Sequence, residues 1–152
     1  MATDKTTNDR RIREFTEACA RLGIKVTHQR IEVFRAVTTT EEHPDAVSIH
    51  RRVRRRIPTI SLDTVYRNLR LLAEHHLISI VGMSQESARF DGNMRPHHHF
   101  TCIKCGLIRD FYSGDDGHPE TPEAALAFGT PLSVHMEIKG VCTACGKKIG
   151  RK

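Results

Sequence analysis

No apolar run in this 152-residue chain approaches the length of a membrane-spanning helix, and its opening, MATDKTTNDRR, has no apolar core like that of a secretion signal. A chain with these features is expected in the cytoplasm, where thiols stay reduced. A nucleophile elbow, a phosphate-binding glycine loop and an HExxH helix are missing as well. Their absence removes the usual sequence grounds for hydrolysis or phosphoryl transfer, and no enzyme activity is expected. There is no acidic excess either: 24 Lys/Arg stand against 18 Asp/Glu, for a formal charge of +6. A basic balance of this size permits nucleic-acid binding without demonstrating it. The length allows one domain or two small ones, and two would each be marginal without a metal or a partner.

What is present begins with helical periodicity. After a polar start, residues 1–9, expected to be disordered, Ile12, Phe15, Cys19 and Leu22 recur at helical spacing from Arg10 onward, and Gly23 is a stop signal. Cys19 lies on the apolar face and reads as a buried core thiol. Thr27 can cap a second helix that turns Ile31, Phe34 and Val37 inward. A third helix is expected to start near Asp45 or Ala46, to bury Ala46, Ile49, Val53 and Ile57, and to end at Pro58. Its five arginines, Arg51, Arg52, Arg54, Arg55 and Arg56, lie largely off that face, as a solvated surface or against a phosphate backbone.

Ser61 can cap a fourth helix with the stripe Leu62, Val65, Leu69 and Leu72, leaving Thr64, Arg67, Asn68 and Arg70 free and Tyr66 at an edge. Ile78–Met83 and Ala88–Asp91 read as strands joined by a turn at Ser84, Gln85 and Glu86. Short helices followed by a hairpin form the pattern of a winged helix-turn-helix. In that architecture the last helix enters the major groove, and Ser61, Thr64, Tyr66, Arg67, Asn68 and Arg70 are the candidate DNA contacts.

The densest chemistry lies between Asp91 and Asp110, a stretch that holds His97, His98, His99, Cys102 and Cys105. With Cys142 and Cys145, the two Cys-x-x-Cys pairs can supply four thiolates to one tetrahedral ion. Such a site has no open position, so the expectation is structural zinc. Gly106 and Gly146 follow the second cysteine of each pair, where tight turns would bring amides near sulfur. On a strand, His97 and His99 share one face and His98 takes the other. Two imidazoles flanked by carboxylates suit Fe(II), Mn(II) or Zn(II).

Together these residues resemble the ferric uptake regulator (Fur) family of bacterial metal-dependent repressors. The resemblance runs from about Thr27 to Cys145 and rests on THQR, SLDTVYRNLRLL, HHHFTCIKCG and CTACG. It implies an α+β protein: an N-terminal winged helix-turn-helix DNA-binding domain over residues 1–92 and a small C-terminal α/β dimerisation domain over 93–152. It further implies a helix at Pro122–Phe128, a strand at Leu132–Lys139, a homodimer and a palindromic double-stranded DNA operator. The peroxide-sensing branch of the family is the most similar, because its regulatory ligands match His43, Asp91, His97, His99 and Asp110. Many iron-sensing members carry glutamate where this chain has Asp110. The branch implies structural Zn(2+), regulatory Fe(2+) or Mn(2+), and His43 and His97 as the residues that oxidation would mark.

A third metal site, present in many members, is not expected here, because Pro96 and Val134 stand where its histidines would be and His135 is one residue out of register. His98, His118 and His135 have no assigned role. Two rival readings use the same residues: an iron- or zinc-responsive repressor without peroxide chemistry, and, from another class, a zinc-ribbon interaction module or metalloenzyme. Tyr66, Arg67 and Arg70 argue against the latter.

Overall fold

The computed structural model describes residues 5–84, 87–113, 120–132 and 134–149. Gln85 and Glu86 of the expected turn, and His118, lie outside them. The chain divides into two compact units, Met1–Met94 and Arg95–Lys152. Among the described residues, no helix is long and apolar enough to cross a membrane.

The first unit carries α1 (Lys5–Arg21), α2 (His28–Thr38), α3 (Ala46–Val53), α4 (Leu62–Glu74), β1 (Ser79–Ser84) and β2 (Ser87–Asp91). Three of the helices start where a side chain replaces a missing backbone partner. Thr27, Asp45 and Ser61 are N-caps that accept from the amides of Arg30 at 3.2 Å, Ser48 at 2.7 Å and Thr64 at 3.1 Å. The helices close over one apolar core that includes Phe15, Cys19, Val33, Val37, Ile49, Val65, Leu69, Leu72 and Phe90. Cys19 is fully buried, and burial pushes its thiol up against a smaller opposing pull from Arg30, as an inert core thiol requires.

Two helix boundaries differ from expectation. α1 begins at Lys5, so residues 5–9 are helical rather than disordered. Once Ile12, Phe15 and Cys19 hold the helix against the core, another polar turn upstream needs no new nucleation. α3 stops at Val53, short of Pro58, and Arg54–Arg56 form a turn. The residue before a proline is sterically kept out of the helical region, so the chain must leave the helix early. Ile57 still donates to the Val53 carbonyl at 2.9 Å and packs on the core.

β1 and β2 pair antiparallel from Ser79↔Asp91 to Ser84↔Ser87, with a bulge beside Gly82, whose φ is +64°. β2 also reaches back to the loop before α3, through an isolated bridge Asp45↔Arg89 and a bond from the Phe90 amide to the Pro44 carbonyl. This is the winged-helix arrangement.

The second unit carries β3 (His98–Cys102), β4 (Ile108–Phe111), α5 (Glu123–Leu126), β5 (Glu137–Gly140) and α6 (Thr143–Ile149). Its sheet runs β4-β3-β5, antiparallel between β3 and β4 and parallel between β3 and β5. The helix expected at Pro122–Phe128 is present but shorter, and the strand expected at Leu132–Lys139 is shorter and displaced toward the C-terminus. β5 exists only where β3 can pair with it, from His99↔Glu137 to Cys102↔Gly140, and Leu132 is 98% exposed outside it. α6 has no counterpart among the expected elements.

Candidate metal centres

The parallel register of β3 and β5 places Cys102 beside Gly140, and two residues later the chain delivers Cys142. Cys105 arrives through a tight turn in which Gly106, at φ +71°, returns its amide to the Cys102 carbonyl at 2.9 Å. Cys145 comes from α6. The second glycine does not repeat the first: Gly146 lies within α6 and donates helically to the Cys142 carbonyl.

The four sulfur atoms all lie within 4.8 Å of one another, and Cys105 Sγ and Cys142 Sγ are 3.8 Å apart. Tetrahedral Zn–S bonds of about 2.3 Å put sulfurs about 3.8 Å apart, whereas a disulfide needs about 2.05 Å. The donor set therefore fits zinc. The electrostatics agree. The backbone amides of Cys142 and then Cys105 pull the Cys102 thiol down to about 6. Cys145 is pushed up to about 12 by hydrogen bonds with the Cys142 and Cys105 side chains. Four thiolates crowd together only when a cation compensates them.

Of the N/O ligands, two belong to the first unit. His43 and Asp91 are both buried, with His43 Nε2 3.8 Å from Asp91 Oδ2. His43 has a left-handed backbone, φ +49°, uncommon for a residue with a Cβ. Arg89 holds that conformation by donating Nε to the His43 carbonyl and Nη2 to the Glu42 carbonyl. Asp91 Oδ1 accepts from the Asn93 amide at 2.7 Å. Gly92 follows, and its backbone is so close to α2 that a Cβ there would meet Thr38 Cγ2 at 2.5 Å and Thr38 Cα at 2.9 Å.

The other three belong to the second unit. The register His99↔Asp110 sets one ligand opposite the other across β3 and β4. His97, just before β3, has its Nε2 2.9 Å from that of His99, and both lie near Asp110 Oδ1, at 3.6 Å and 3.5 Å. Two imidazole nitrogens bound at right angles, each at about 2.1 Å, would be about 3.0 Å apart. His97 Nδ1 donates to the Arg95 carbonyl at 2.6 Å, which leaves Nε2 as the donor atom for an ion. The mixed imidazole and carboxylate set fits a divalent cation such as Fe(II) or Mn(II).

His98 faces the other way, as strand alternation demands, and is 1% exposed. Its Nδ1 accepts from the Met136 amide at 3.1 Å and its Nε2 donates to Ser113 Oγ at 2.7 Å, so it is a satisfied core residue. His135 is exposed and belongs to none of these groups.

On α4, Tyr66, Arg67 and Arg70 face outward, the arginines held by intrahelical pairs with Asp63 and Glu74. Ser61 and Thr64 sit at the first turn, occupied with the cap and with each other. Asn68, expected to be free, is only 7% exposed. It accepts from Arg30 Nε at 3.1 Å and donates to the Thr64 carbonyl at 2.8 Å. One position before Leu69, it lies on the flank of the apolar stripe, where α2 covers it.

Sequence reasoning missed Arg89 and Gly92. Arg89 shares a strand face with Asp91, two residues on, and that spacing was its one local signal; its grip on the His43 loop spans more than forty residues and leaves no local trace.

The model of the family described as "Ferric uptake regulator family" matches residues 21–124 of this chain. The peroxide operon regulator of Bacillus subtilis is 34% identical over 139 residues, covering 90% of this chain and 94% of that protein. The peroxide-responsive repressor PerR of Staphylococcus epidermidis is 29% identical over 145 residues, covering 95% and 97%. Among solved structures, the ferric uptake regulator Fur of Helicobacter pylori superposes with a TM-score of 0.70 at 22% identity, over 92% of this chain and 94% of that one, a likeness of fold. The chain belongs to the ferric uptake regulator family.

Proposed function

We propose that this protein is a homodimeric, metal-gated DNA-binding repressor that responds to peroxide. The observation that carries the reading is the donor geometry of His97, His99 and Asp110: an oriented Nε2, a second imidazole and a carboxylate gathered on one face of the second unit. His43 and Asp91 complete the ligand set from the first unit. One divalent ion held by all five would couple the orientation of the DNA-binding unit to metal occupancy, which is the basis of gating.

Each part of the chain has a task in this scheme. Cys102, Cys105, Cys142 and Cys145 hold Zn(2+) and the second unit with it. The exposed apolar residues Leu126, Phe128, Leu132 and Ile138, and the edge position of β5 in its sheet, support self-association. Tyr66, Arg67 and Arg70 face the major groove, with Ser61 and Thr64 at the helix N-terminus beside phosphate. Their pairs with Asp63 and Glu74 are exposed and weak, so they exchange readily for DNA. His43, Asp91, His97, His99 and Asp110 would hold the ion; Fe(II) bound there would supply the electrons that reduce peroxide, whereas Mn(II) would not. His43 and His97 are the rings that would gain oxygen. Loss of either donor would release the first unit from its DNA-bound orientation. As a regulator without a membrane-crossing helix in its described residues, it would act in the cytoplasm.

The test is duplex binding by the Mn(II)- and Fe(II)-loaded forms, each with and without peroxide. Both forms should bind, and peroxide should release only the Fe(II) form, with a mass gain of one oxygen on a histidine peptide. Equal binding with and without metal would overturn the gating. A peroxide-treated Fe(II) form that keeps its DNA and its histidines would leave an iron- or zinc-responsive repressor.

A further inference from the structure

The arginine run at the end of α3 is not used by the metal centres or by α4, and its five side chains are not alike. Arg52 pairs with Glu42 at 2.6 Å, and Arg56 with the buried Glu32 at 3.5 Å. The side chains of Arg51, Arg54 and Arg55 make no hydrogen bond or ion pair among the described residues, and they line one open cavity of about 400 Å³ with Val47 and His50. His50 Nε2 donates to the Ile60 carbonyl at 3.0 Å, which ties this cavity-lining residue to the end of the loop between α3 and α4. Asp45 is the single carboxylate between His43 and Ser61 in the sequence, and it caps Ser48.

Three guanidiniums without a hydrogen-bond partner among the described residues share one short segment and repel one another, since Arg51 stands three and four residues from Arg54 and Arg55; the field of Asp45 reaches Arg51 alone among them. An anion with several oxygen atoms relieves that repulsion, and the guanidinium fork matches phosphate oxygens in pairs. Val47, 46% exposed, adds an apolar wall against which a sugar can rest. α3 is also the helix that precedes the groove-reading helix, and in helix-turn-helix proteins that helix crosses the backbone.

We infer that Arg51, Arg54 and Arg55 form a phosphodiester-binding site, by which α3 grips the DNA backbone beside the groove that α4 reads. The inference rests on the DNA-binding reading above and assigns a different surface and a different role. The site supplies affinity independent of sequence, whereas Tyr66, Arg67 and Arg70 supply discrimination.

The test uses the full-length, zinc-bound, Mn(II)-loaded protein and a random-sequence duplex of about 30 base pairs, titrated at salt between about 50 and 200 mM. The triple variant Arg51→Ala/Arg54→Ala/Arg55→Ala should lose about 2–3 units from the slope of log K against log salt, and each single Arg→Gln variant about 0.9. Because the arginines repel one another, the triple variant should melt no lower than the wild type. If it fails to fold, the single variants decide alone. Lys147→Ala/Lys148→Ala, which removes charge from the other unit, should leave the slope unchanged. An unchanged slope in the arginine variants, or an equal drop in the lysine control, overturns the site. If polyglutamate binding depends on these arginines while the DNA slope does not, the surface belongs to an acidic protein partner. A wild-type protein that does not bind duplex at all overturns the repressor reading along with this one.

Discussion

The two units solve the same problem of stability in different ways. The first buries a continuous apolar core, with Val33, Ile49, Val65, Leu69 and Leu72 all at 1% exposure or less. The second buries Ile108, the metal-ligand cysteines Cys102 and Cys142, and the polar His98, while Phe128 and Leu132 stand at 92% and 98% exposure. A domain this small, with so little buried hydrocarbon among its described residues, has little packing to set against its chain entropy. In the proposed reading, zinc and a second copy of the chain would supply what packing does not. The cost is conditional stability, and that is tolerable in a unit whose function is to respond to metal. The DNA-binding unit is spared the dependence.

The largest effects should fall where this contrast is sharpest. Cys102→Ser removes a thiolate from a closed four-sulfur site, whose zinc contributes on the order of 10 kcal/mol to folding in small domains. We expect loss of zinc and of the dimer by sedimentation, with most of the helical circular dichroism kept because α1–α4 lie in the first unit. A variant that holds one zinc per chain and stays dimeric would contradict the assigned site. The pH dependence has a definite sign. Cys102 is ionised above about 6, but Cys145 keeps its proton to about 12, so zinc binding at neutral pH releases protons and the apparent affinity falls as pH falls. The mirror experiment is Leu69→Ala, a cavity in the first core. It should cost about 2–5 kcal/mol in urea unfolding and leave zinc content unchanged. Zinc loss in that variant would show that the two units do not stand apart energetically.

The caps of α2 and α4 were legible in the sequence because Thr27 and Ser61 act within three residues of themselves, and the start of α3 was legible near Asp45, though not its capping role. The zinc ligands were legible for a similar reason, two local knuckles with fixed spacing. What local pattern could not show was decided by distant contacts. Asn68 is buried because α2 happens to lie over it. α6 and the four-residue β5 are too short to carry a period. His43 entered through family resemblance alone, since its left-handed backbone and the Arg89 grip are tertiary.

Gly92 follows directly on β2 and on the ligand Asp91 at its end. Gly92→Ala drives a Cβ into the side chain and backbone of Thr38, and overpacking of this kind costs about 1–3 kcal/mol. Because the strain falls next to Asp91, Mn(II) affinity should drop while zinc content stays at one per chain. Loss of zinc with normal Mn(II) binding would contradict the placing of Asp91 among the Mn(II) ligands. A smaller effect is expected at Asp45. Burial pushes its carboxyl up, but the Ser48 amide and hydroxyl, with Arg89 and Arg51, outweigh it and hold the group below its ordinary value. Its stabilisation is therefore complete above the ordinary carboxylate range and disappears as pH falls through the lowered one. Asp45→Ala should cost about 1 kcal/mol at neutral pH, and the difference from wild type should close in acid. A difference independent of pH would mean the cap works without its charge.

The smallest effect separates two copies of one turn inside the first unit. α1 ends with the Ile24 amide on the Cys19 carbonyl and the Gly23 amide on Ala20; α4 ends with Leu77 on Leu72 and His76 on Ala73. Both are the same C-terminal cap, with φ of +68° at Gly23 and +55° at His76. A side chain in this conformation costs about 1–2 kcal/mol, partly offset because glycine loses more freedom on folding. His76 is exposed, so its side chain gives little back. His76→Gly should therefore stabilise the first unit by about 0.5 kcal/mol, and Gly23→His should destabilise it by a similar amount. Both shifts should appear in urea unfolding of the helices with Mn(II) and zinc binding unchanged. If His76→Gly were destabilising, His76 would be contributing something the cap geometry does not require, and the exposed imidazole at the end of α4 would need a partner on DNA or protein to explain it.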